Sequence, residues 1–358
     1  MKKPVRILLL SSSTGGHAIP LFEVYQELQK HGEVLPRIVH SGSKIEEELF
    51  PANFSYLLKS GKVNRYQPFK NLSEIIKLFF AMWRSLYILI AFRPKIIFSK
   101  GGFNSVPVLF WAKIMNIPYF LHESDSEMGA ANNSFYKKSV KTFVSFPISN
   151  YRQDADKLLY SGMIVRSFKE ITKHHYERPM ILITGGSQGA IAINKTVFAI
   201  LPKLLDKYML IHHVGLNDEE NAKKEAAKIP DELSRYYQYF VFSTEKMMRA
   251  IEEADLVISR AGSTIGEIAK LSKASILIPY PYAAADHQMK NAKYLEKVGG
   301  AIIIKQDILT PEMLLERIDF IMSDKRNSEV LGRNANRAIK TDGKKFVVDE
   351  ILKFVRKR

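Results

Sequence analysis

Residues 181–194 read ILITGGSQGAIAIN. Ile181 to Thr184 are apolar or β-branched and run straight into Gly185-Gly186-Ser187-Gln188-Gly189, after which a helical pattern begins. A strand, a glycine turn and a helix start expose backbone N–H groups where the helix dipole adds partial positive charge, which suits a phosphate. A second version, LLLSSSTGGHAIP, occupies 8–20. The 185–189 turn lacks both the G-x-G-x-x-G spacing of a dinucleotide fingerprint and the G-x-x-x-x-G-K-[ST] of a P-loop. Taken alone, it is a phosphate site or simply a tight βα turn.

Outward from these two units the chain alternates short apolar runs with helical stretches. The first half predicts strands at Val5–Leu10, Arg37–His40, Ile96–Ser99, Tyr119–Leu121 and Thr142–Ser145, with helices over Leu21–Lys30, Ser73–Ala91 and Val106–Met115. The second half predicts strands at Met180–Thr184, Met209–Val214, Tyr239–Phe242, Leu256–Ser259, Ser275–Pro279 and Ala301–Ile304. Strand–helix alternation implies α/β architecture with parallel sheets covered on both faces. Two such series, each opened by a glycine turn, predict two doubly wound domains with ligand sites at their topological switch points. The basic stretch Tyr151–Arg178 reads as a linker. The predicted division is 1–163, 164–341, and a last helix, 342–358, that packs back on the first domain.

At 358 residues the length also favours two domains. The absence of cysteine excludes disulfides, thiol catalysis and cysteine-ligated metals. A net charge of +16 and a pI near 9.6 favour an anionic partner: nucleic acid, acidic lipid or a phosphorylated substrate. No helix-turn-helix, zinc-finger or RNP signature supports nucleic acid. The start, MKKPVRILLLSSS, reads as a buried first strand rather than a leader.

The stretch IIKLFFAMWRSLYILIAF (75–92) contains Lys77 and Arg84, and its longest uncharged run, Ser85 to Phe92, is far short of the roughly 20 residues a span needs. Lys59, Lys62, Arg65 and Lys70 precede it, and Arg93 and Lys95 follow. It is either a crossover helix burying one face or a helix that also rests in an anionic interface through Ile75, Phe79, Met82, Trp83 and Leu86.

Further motifs fall at predicted strand ends. SRAGSTIGEIAKL (259–271) places Gly262, Ser263 and Thr264 at a helix start with Glu267 on its first turn. That suits a phosphate and a ribose diol, or plain N-capping. PYPYAAADHQMKNAKYL (279–295) groups Asp286, Gln288 and Asn291, residue types that hold sugar hydroxyls or cap a helix. In the first half, His17 after Thr14-Gly15-Gly16 is a general base or a structural histidine. SKGGFNSVPV (99–108) supplies Gly101 and Gly102, and LHESDSEMGAANN (121–133) supplies His122, Glu123 and Asp125. No H-x-x-x-H or H-E-x-x-H spacing points to a metal.

In order, TGGHAIP, SKGGFNSVPV, LHESD…NN, the Gly162…Arg166 stretch, TGGSQGAIAIN, SRAGSTIGE and DHQMKNA resemble the MurG family. These glycosyltransferases add N-acetylglucosamine to a polyprenyl-diphosphate-linked muramoyl peptide in peptidoglycan synthesis. The resemblance implies the GT-B fold, two Rossmann-like domains facing an inter-domain cleft. It implies a C-terminal donor domain for UDP-N-acetylglucosamine. There Gly186, Ser187, Gln188, Gly262 and Ser263 would contact the nucleotide and diphosphate, Glu267 the ribose, and Thr244 the uracil. Gln288 and Asp286 would hold the sugar, and Arg166 would close on the donor. Thr14, Gly15, Gly16, Gly101 and Gly102 would line the acceptor side. The catalytic candidates are His17 as base, with Glu123 and Asp125 as rivals.

The same resemblance implies an inverting transfer without a cofactor or metal, and a peripheral site on the cytoplasmic face of an anionic membrane. It implies roles in cell-wall biogenesis, cell shape and division, with cell-wall synthesis proteins as partners. The alternative is a related transferase acting on diacylglycerol or another lipid acceptor. Three positions depart from the commonest pattern: Ser124-Asp125 stand where many members have Gln-Asn, Met163-Ile164 where Asn-Pro is usual, and Met128 where Pro is common. They fall on the acceptor side and the hinge.

Overall fold

The computed structural model describes residues 3–61, 71–168, 176–186 and 189–357. The chain forms two compact units: 1–166 together with 342–358, and 167–341. The division lies a few residues beyond the one read from the sequence.

The first unit holds seven strands: β1 (Val5–Leu10), β2 (Val34–His40), β3 (Ser55–Leu57), β4 (Ile96–Ser99), β5 (Tyr119–Glu123), β6 (Thr142–Val144) and β7 (Leu158–Tyr160). They form one sheet in the order β3-β2-β1-β4-β5-β6-β7, every pair parallel. Parallel strands are covered on both faces, so the central ones read as unbroken apolar runs. Ile7 to Leu10 and Ile96 to Phe98 are accordingly buried.

Two edge strands were not expected from the sequence. β3 and β7 have only three residues each, and β7 lies inside the stretch read as a linker. Leu158–Tyr160 pairs with Thr142–Val144, so that part of 151–178 belongs to the first unit's sheet.

The second unit holds β8 (Met180–Thr184), β9 (Met209–His213), β10 (Tyr237–Phe240), β11 (Leu256–Ser259), β12 (Ala274–Leu277) and β13 (Ile302–Ile303). Their order is β10-β9-β8-β11-β12-β13, again all parallel. In both sheets the order reverses beside the first strand, at β1/β4 and β8/β11. The crevice outside those carboxyl ends is where such sheets bind ligands.

The last helix, Gly343–Arg356, packs along the Gly15–Gln29 helix. Val347, Val348, Ile351 and Leu352 are buried, and Phe354 meets Phe120 edge-on at 5.4 Å. Lys344 Nζ lies 3.0 Å from Glu23 Oε2. An isolated antiparallel bridge between Ile164 and Asp342 ties the returning chain to the first unit.

The Asn71–Phe92 helix is the crossover from β3 to β4. By length and composition its Ser73–Phe92 portion could cross a membrane, with mean hydropathy 1.8 and 28% of the window buried. Length and composition alone meet that test, with Lys77 and Arg84 inside the stretch. Both ends, however, feed strands of one parallel sheet, and one face is packed. Ala81, Ser85, Ile88, Leu89 and Phe92 are buried, and Trp111 Nε1 donates to the Met82 carbonyl at 2.9 Å. The opposite face is bare: Ile75, Ile76, Phe79, Phe80, Trp83, Tyr87 and Ile90 are exposed, joined by Phe110, Ile114 and Met115 from the following helix. Of the five residues read as membrane contacts, Ile75, Phe79 and Trp83 are on this face. Met82 and Leu86 are half-buried, because they sit at the margin of the packed face.

Candidate active site

In the first unit the turns after β1, β4 and β5 lie side by side, because those strands are neighbours. Thr14 precedes the Gly15–Gln29 helix in extended geometry and makes no side-chain cap. His17 lies in the first turn of that helix. Its Nδ1 is 3.0 Å from the Lys100 carbonyl oxygen. A carbonyl only accepts, so Nδ1 carries the proton and Nε2 keeps its lone pair. Enclosure by protein and the Lys100 ammonium push the imidazole pKa down to about 4, so the ring is neutral near pH 7.

Gly101 and Gly102 follow β4 in the left-handed region, each with φ 79°. A Cβ on Gly101 would meet the Asn132 carboxamide at 2.8 Å, and one on Gly102 would meet Ser12 Cβ at 2.5 Å and approach His17 Nε2 to 3.6 Å. Both steric space and φ thus require glycine here. His17 Nε2 therefore faces the turn that the sequence placed on the acceptor side.

The two rival acids differ sharply. Glu123 is buried, and its Oε1 accepts from the Asp125 N–H at 3.2 Å. Its Oε2 accepts from the Gly129 N–H and from Asn132 Nδ2, each at 2.9 Å. Burial, then the Asp125 carboxylate, raise its pKa, and the three donors oppose that shift. A carboxylate so occupied holds the Glu123–Asn132 turn together and is poorly placed as a base. Asp125 is half-buried beside it, and its backbone carbonyl accepts from Tyr151 Oη at 2.7 Å.

Lys100 and Asn104, which the sequence did not single out, complete this region together with Asn132. Lys100 is 2% exposed, and its ammonium donates to His122 Nδ1 at 2.6 Å and Ser124 Oγ at 2.5 Å. Asn132 also donates to the His122 carbonyl at 3.0 Å. Asn104 Oδ1 accepts from the Ser60 N–H at 3.2 Å. Lys100 and Asn104 stand in the quoted SKGGFNS stretch and Asn132 in the quoted AANN. Nothing in their spacing shows which groups they reach.

The second unit gathers Gly186, Gly262, Ser263, Glu267, Asp286 and Gln288 at the ends of β8, β11 and β12, again adjacent strands. Gly186 has φ 82°, and its N–H donates to Thr184 Oγ1 at 3.2 Å. Ser187 and Gln188 lie outside the described residues. Ser263 precedes the Thr264–Lys270 helix without capping it through its side chain, so the capping alternative is not realised there. Glu267 is buried. Thr244 starts its helix after β10, where Ser243 Oγ caps the Lys246 N–H at 3.2 Å. β9 lies between β10 and β8, and the helix that Thr244 starts packs on β8.

Asp286 caps nothing through its side chain. It and Ala285 adopt left-handed backbone, φ 55° and 52°. Two adjacent non-glycine residues in that region store strain of the order of 1 kcal/mol each, as functional turns often do. Gln288 Oε1 accepts from the Tyr280 N–H at 2.9 Å, leaving its amide nitrogen to other partners. Asn291, grouped with these by the sequence, is instead a buried brace whose Nδ2 donates to the Ala261 carbonyl at 3.1 Å. Arg260 is a second brace. Its guanidinium donates to the Ile278 and Pro279 carbonyls at 2.9 and 3.2 Å and to Gln306 Oε1 at 2.6 Å.

Arg166 closes the first unit and is buried. Among the described residues no group of three or more His, Asp or Glu is placed to hold a metal ion.

Known proteins resemble the chain over nearly its whole length. Residues 7–144 match the glycosyltransferase family 28 N-terminal domain, and residues 180–347 its C-terminal domain. The UDP-N-acetylglucosamine–N-acetylmuramyl-(pentapeptide) pyrophosphoryl-undecaprenol N-acetylglucosamine transferase of Desulfotalea psychrophila is 32% identical over 355 residues, covering 94% of this chain and 93% of its own. The Clostridium kluyveri protein of the same name is 31% identical over 326 residues, covering 87% and 90%. The crystal structure of Acinetobacter baumannii MurG aligns with a TM-score of 0.71 at 25% identity, over 98% of this chain and 100% of that one.

Proposed function

The chain belongs to glycosyltransferase family 28, within its MurG branch, and from that premise we propose how its residues divide the work. It is a GT-B N-acetylglucosaminyltransferase that uses UDP-N-acetylglucosamine and a muramoyl-peptide pyrophosphoryl-undecaprenol acceptor. The reaction converts lipid I to lipid II in peptidoglycan synthesis.

A muramoyl hydroxyl attacks the anomeric carbon of the α-linked donor. The new C–O bond forms as the bond to UDP breaks, with inversion, and the electron pair leaves with UDP. The hydroxyl proton goes to His17 Nε2. The observation that carries this assignment is the His17 Nδ1 contact to the Lys100 carbonyl, which leaves Nε2 as acceptor beside Gly102. A base this far below neutrality takes its proton late, as the hydroxyl acidifies in the transition state.

Backbone N–H groups at 185–189 and 262–264, with Arg166, stabilise the departing diphosphate without a metal. The family resemblance assigns Ser187 and Gln188 to the nucleotide and diphosphate. Glu267 holds the ribose hydroxyls and Thr244 the uracil, while Gln288 and Asp286 hold the sugar. The acceptor diphosphate lies along Thr14–Gly16 and Gly101–Gly102.

The bare apolar face of the Asn71–Phe92 helix rests on the inner leaflet, so the enzyme is peripheral on the cytoplasmic side. Lys59, Arg93 and Lys95, all exposed, flank it with positive charge. Lys62, Arg65 and Lys70, also read as flanking cations, lie outside the described residues. Anionic lipid contributes about 1 kcal/mol per nearby basic residue, and the +16 charge concentrates the protein there.

The test uses radiolabelled UDP-N-acetylglucosamine with a short-chain muramoyl-diphospho-lipid or with diacylglycerol, each with EDTA. Label only on the muramoyl lipid, undiminished by EDTA, is expected. Transfer to diacylglycerol, or loss of activity in EDTA that Mg²⁺ restores, overturns the acceptor or the metal-free reading respectively.

A further inference from the structure

Lysine is almost never fully buried unless it is paired, and burying its charge costs several kcal/mol before compensation. Lys100 is nevertheless 2% exposed, directly after β4. Its two hydrogen-bond partners, His122 Nδ1 and Ser124 Oγ, are neutral. Because the ammonium can only donate, His122 accepts through Nδ1, and its tautomer is fixed. Compensating charge comes from the Glu123 and Asp125 carboxylates, which both favour the protonated lysine. Burial lowers the lysine to about 8, so it remains mostly cationic at neutral pH. The backbone of the same residue accepts from His17 Nδ1. One residue thus links the turns after β1, β4 and β5. For stability alone, an apolar side chain would fill this space at lower cost.

We propose that Lys100 is a positioning residue for the acceptor-side base: its carbonyl orients His17, and its buried ammonium ties down the His122–Asp125 turn and holds a positive charge near the imidazole. This rests on His17 acting as the base. The charged and titratable groups around His17 are Lys100 from the β4 turn, His122 and Asp125 from β5 and its turn, and Glu46 from the Lys44–Leu49 helix. Lys100 opposes protonation of His17, whereas Asp125 and Glu46 favour it. Removing the ammonium must therefore raise the His17 midpoint, and removing Asp125 must lower it.

The experiment compares Lys100→Gln, Lys100→Met, Asp125→Asn and Lys100→Met with Asp125→Asn. Lys100→Gln keeps a donor for His122 and Ser124 but loses the charge. Lys100→Met loses both, and the double variant spares it an uncompensated carboxylate and so protects folding. The direct readout is the His17 imidazole titration by NMR on histidine-labelled full-length protein, which does not depend on activity. Both Lys100 variants should move the midpoint upward from about 4, Asp125→Asn should move it downward, and the double variant should fall between. An upward move of one unit cuts the ratio of kcat/KM at pH 4.5 to that at pH 7 about threefold. Lys100→Met should in addition raise KM for the acceptor where Lys100→Gln does not, because only Met releases the turn.

A His17 midpoint unchanged in both Lys100 variants, in protein that folds, overturns the proposal. His17→Gln separates this from failure of the underlying reading. If His17→Gln retains full activity, His17 is not the base, whatever its titration shows. If it loses activity while the Lys100 variants titrate like wild type, the base stands and the role of Lys100 falls.

Discussion

Replacing Phe79, Phe80 and Trp83 together by serine should detach the protein from anionic membranes without unfolding it. The three side chains are 58%, 66% and 57% exposed, and the Phe79 ring meets those of Phe80 and Trp83 edge-on, with centroids 5.8 and 6.3 Å apart. Complete burial of a large apolar side chain is worth about 1.5–3 kcal/mol. Only the exposed part is available to a lipid interface, so each contributes about 1–2 kcal/mol and the three about 3–5 kcal/mol. At 1.4 kcal/mol per tenfold, the vesicle partition coefficient should fall by about 10² to 4 × 10³. The packed face, with Ala81, Ser85, Ile88 and Leu89, is untouched, so thermal stability should change little. The flanking cations Lys59, Arg93 and Lys95 remain, so residual binding should weaken steeply with salt. Co-sedimentation with vesicles of phosphatidylglycerol in phosphatidylcholine measures the loss, and turnover of a water-soluble short-chain acceptor checks that the catalytic unit is intact. A drop in partitioning below fivefold, with the fold intact, would refute the assignment of this face to the membrane.

Gly102→Ala forces a non-glycine residue to φ 79° and drives its Cβ against Ser12, so a loss of about 2–5 kcal/mol in urea stability, or a large fall in kcat if the turn yields instead, should follow; wild-type values for both would show that the turn is not as described. Ala285→Gly relieves left-handed strain at φ 52° and should raise the thermal midpoint by an amount equivalent to about 1 kcal/mol, read by calorimetry; a lower midpoint would contradict the strain. His17, His122 and His212 all titrate below an ordinary histidine in the folded protein, mainly through burial, with His17 near 4 and His212 near 3. The unfolded chain therefore binds more protons than the native one as pH falls from about 6.5 toward 4, so stability should decline through that window; urea midpoints that hold constant there would contradict the shifts. Glu267→Ala should raise KM for UDP-N-acetylglucosamine well above tenfold with little change in acceptor KM, and an unchanged donor KM would remove Glu267 from the ribose site.

What the sequence made legible, and what it hid, follows from which signals are local. β1, β4, β8 and β11 begin and end where their apolar runs do, because a central parallel strand must be apolar on both faces. The edge strands β3 and β7 carry no such signature, since three residues at a sheet margin need bury only one side. The turns were legible for a similar reason: glycine at positive φ after a strand leaves a mark in the sequence whatever the rest of the fold does. Side-chain roles within those turns were not. Glu123 and Asp125 are near neighbours of the same chemistry, yet one is spent on the Asp125 and Gly129 N–H groups and Asn132 Nδ2 while the other is half-buried. Asn291 and Gln288 lie on one helix and look alike as sugar ligands, yet only folding turns Asn291 toward the Ala261 carbonyl. The Asn71–Phe92 helix is apolar nearly all round, so its periodicity could not say which face meets the sheet. Lys100 is the extreme case. Its partners His122 and Ser124 are 22 and 24 residues away, and His17 is 83 away. Read locally it is a lysine beside two glycines, which suggests solvent. Only the strand order β1-β4-β5 brings its partners around it, and the same adjacency that buries the cation sets it against the imidazole that must stay neutral.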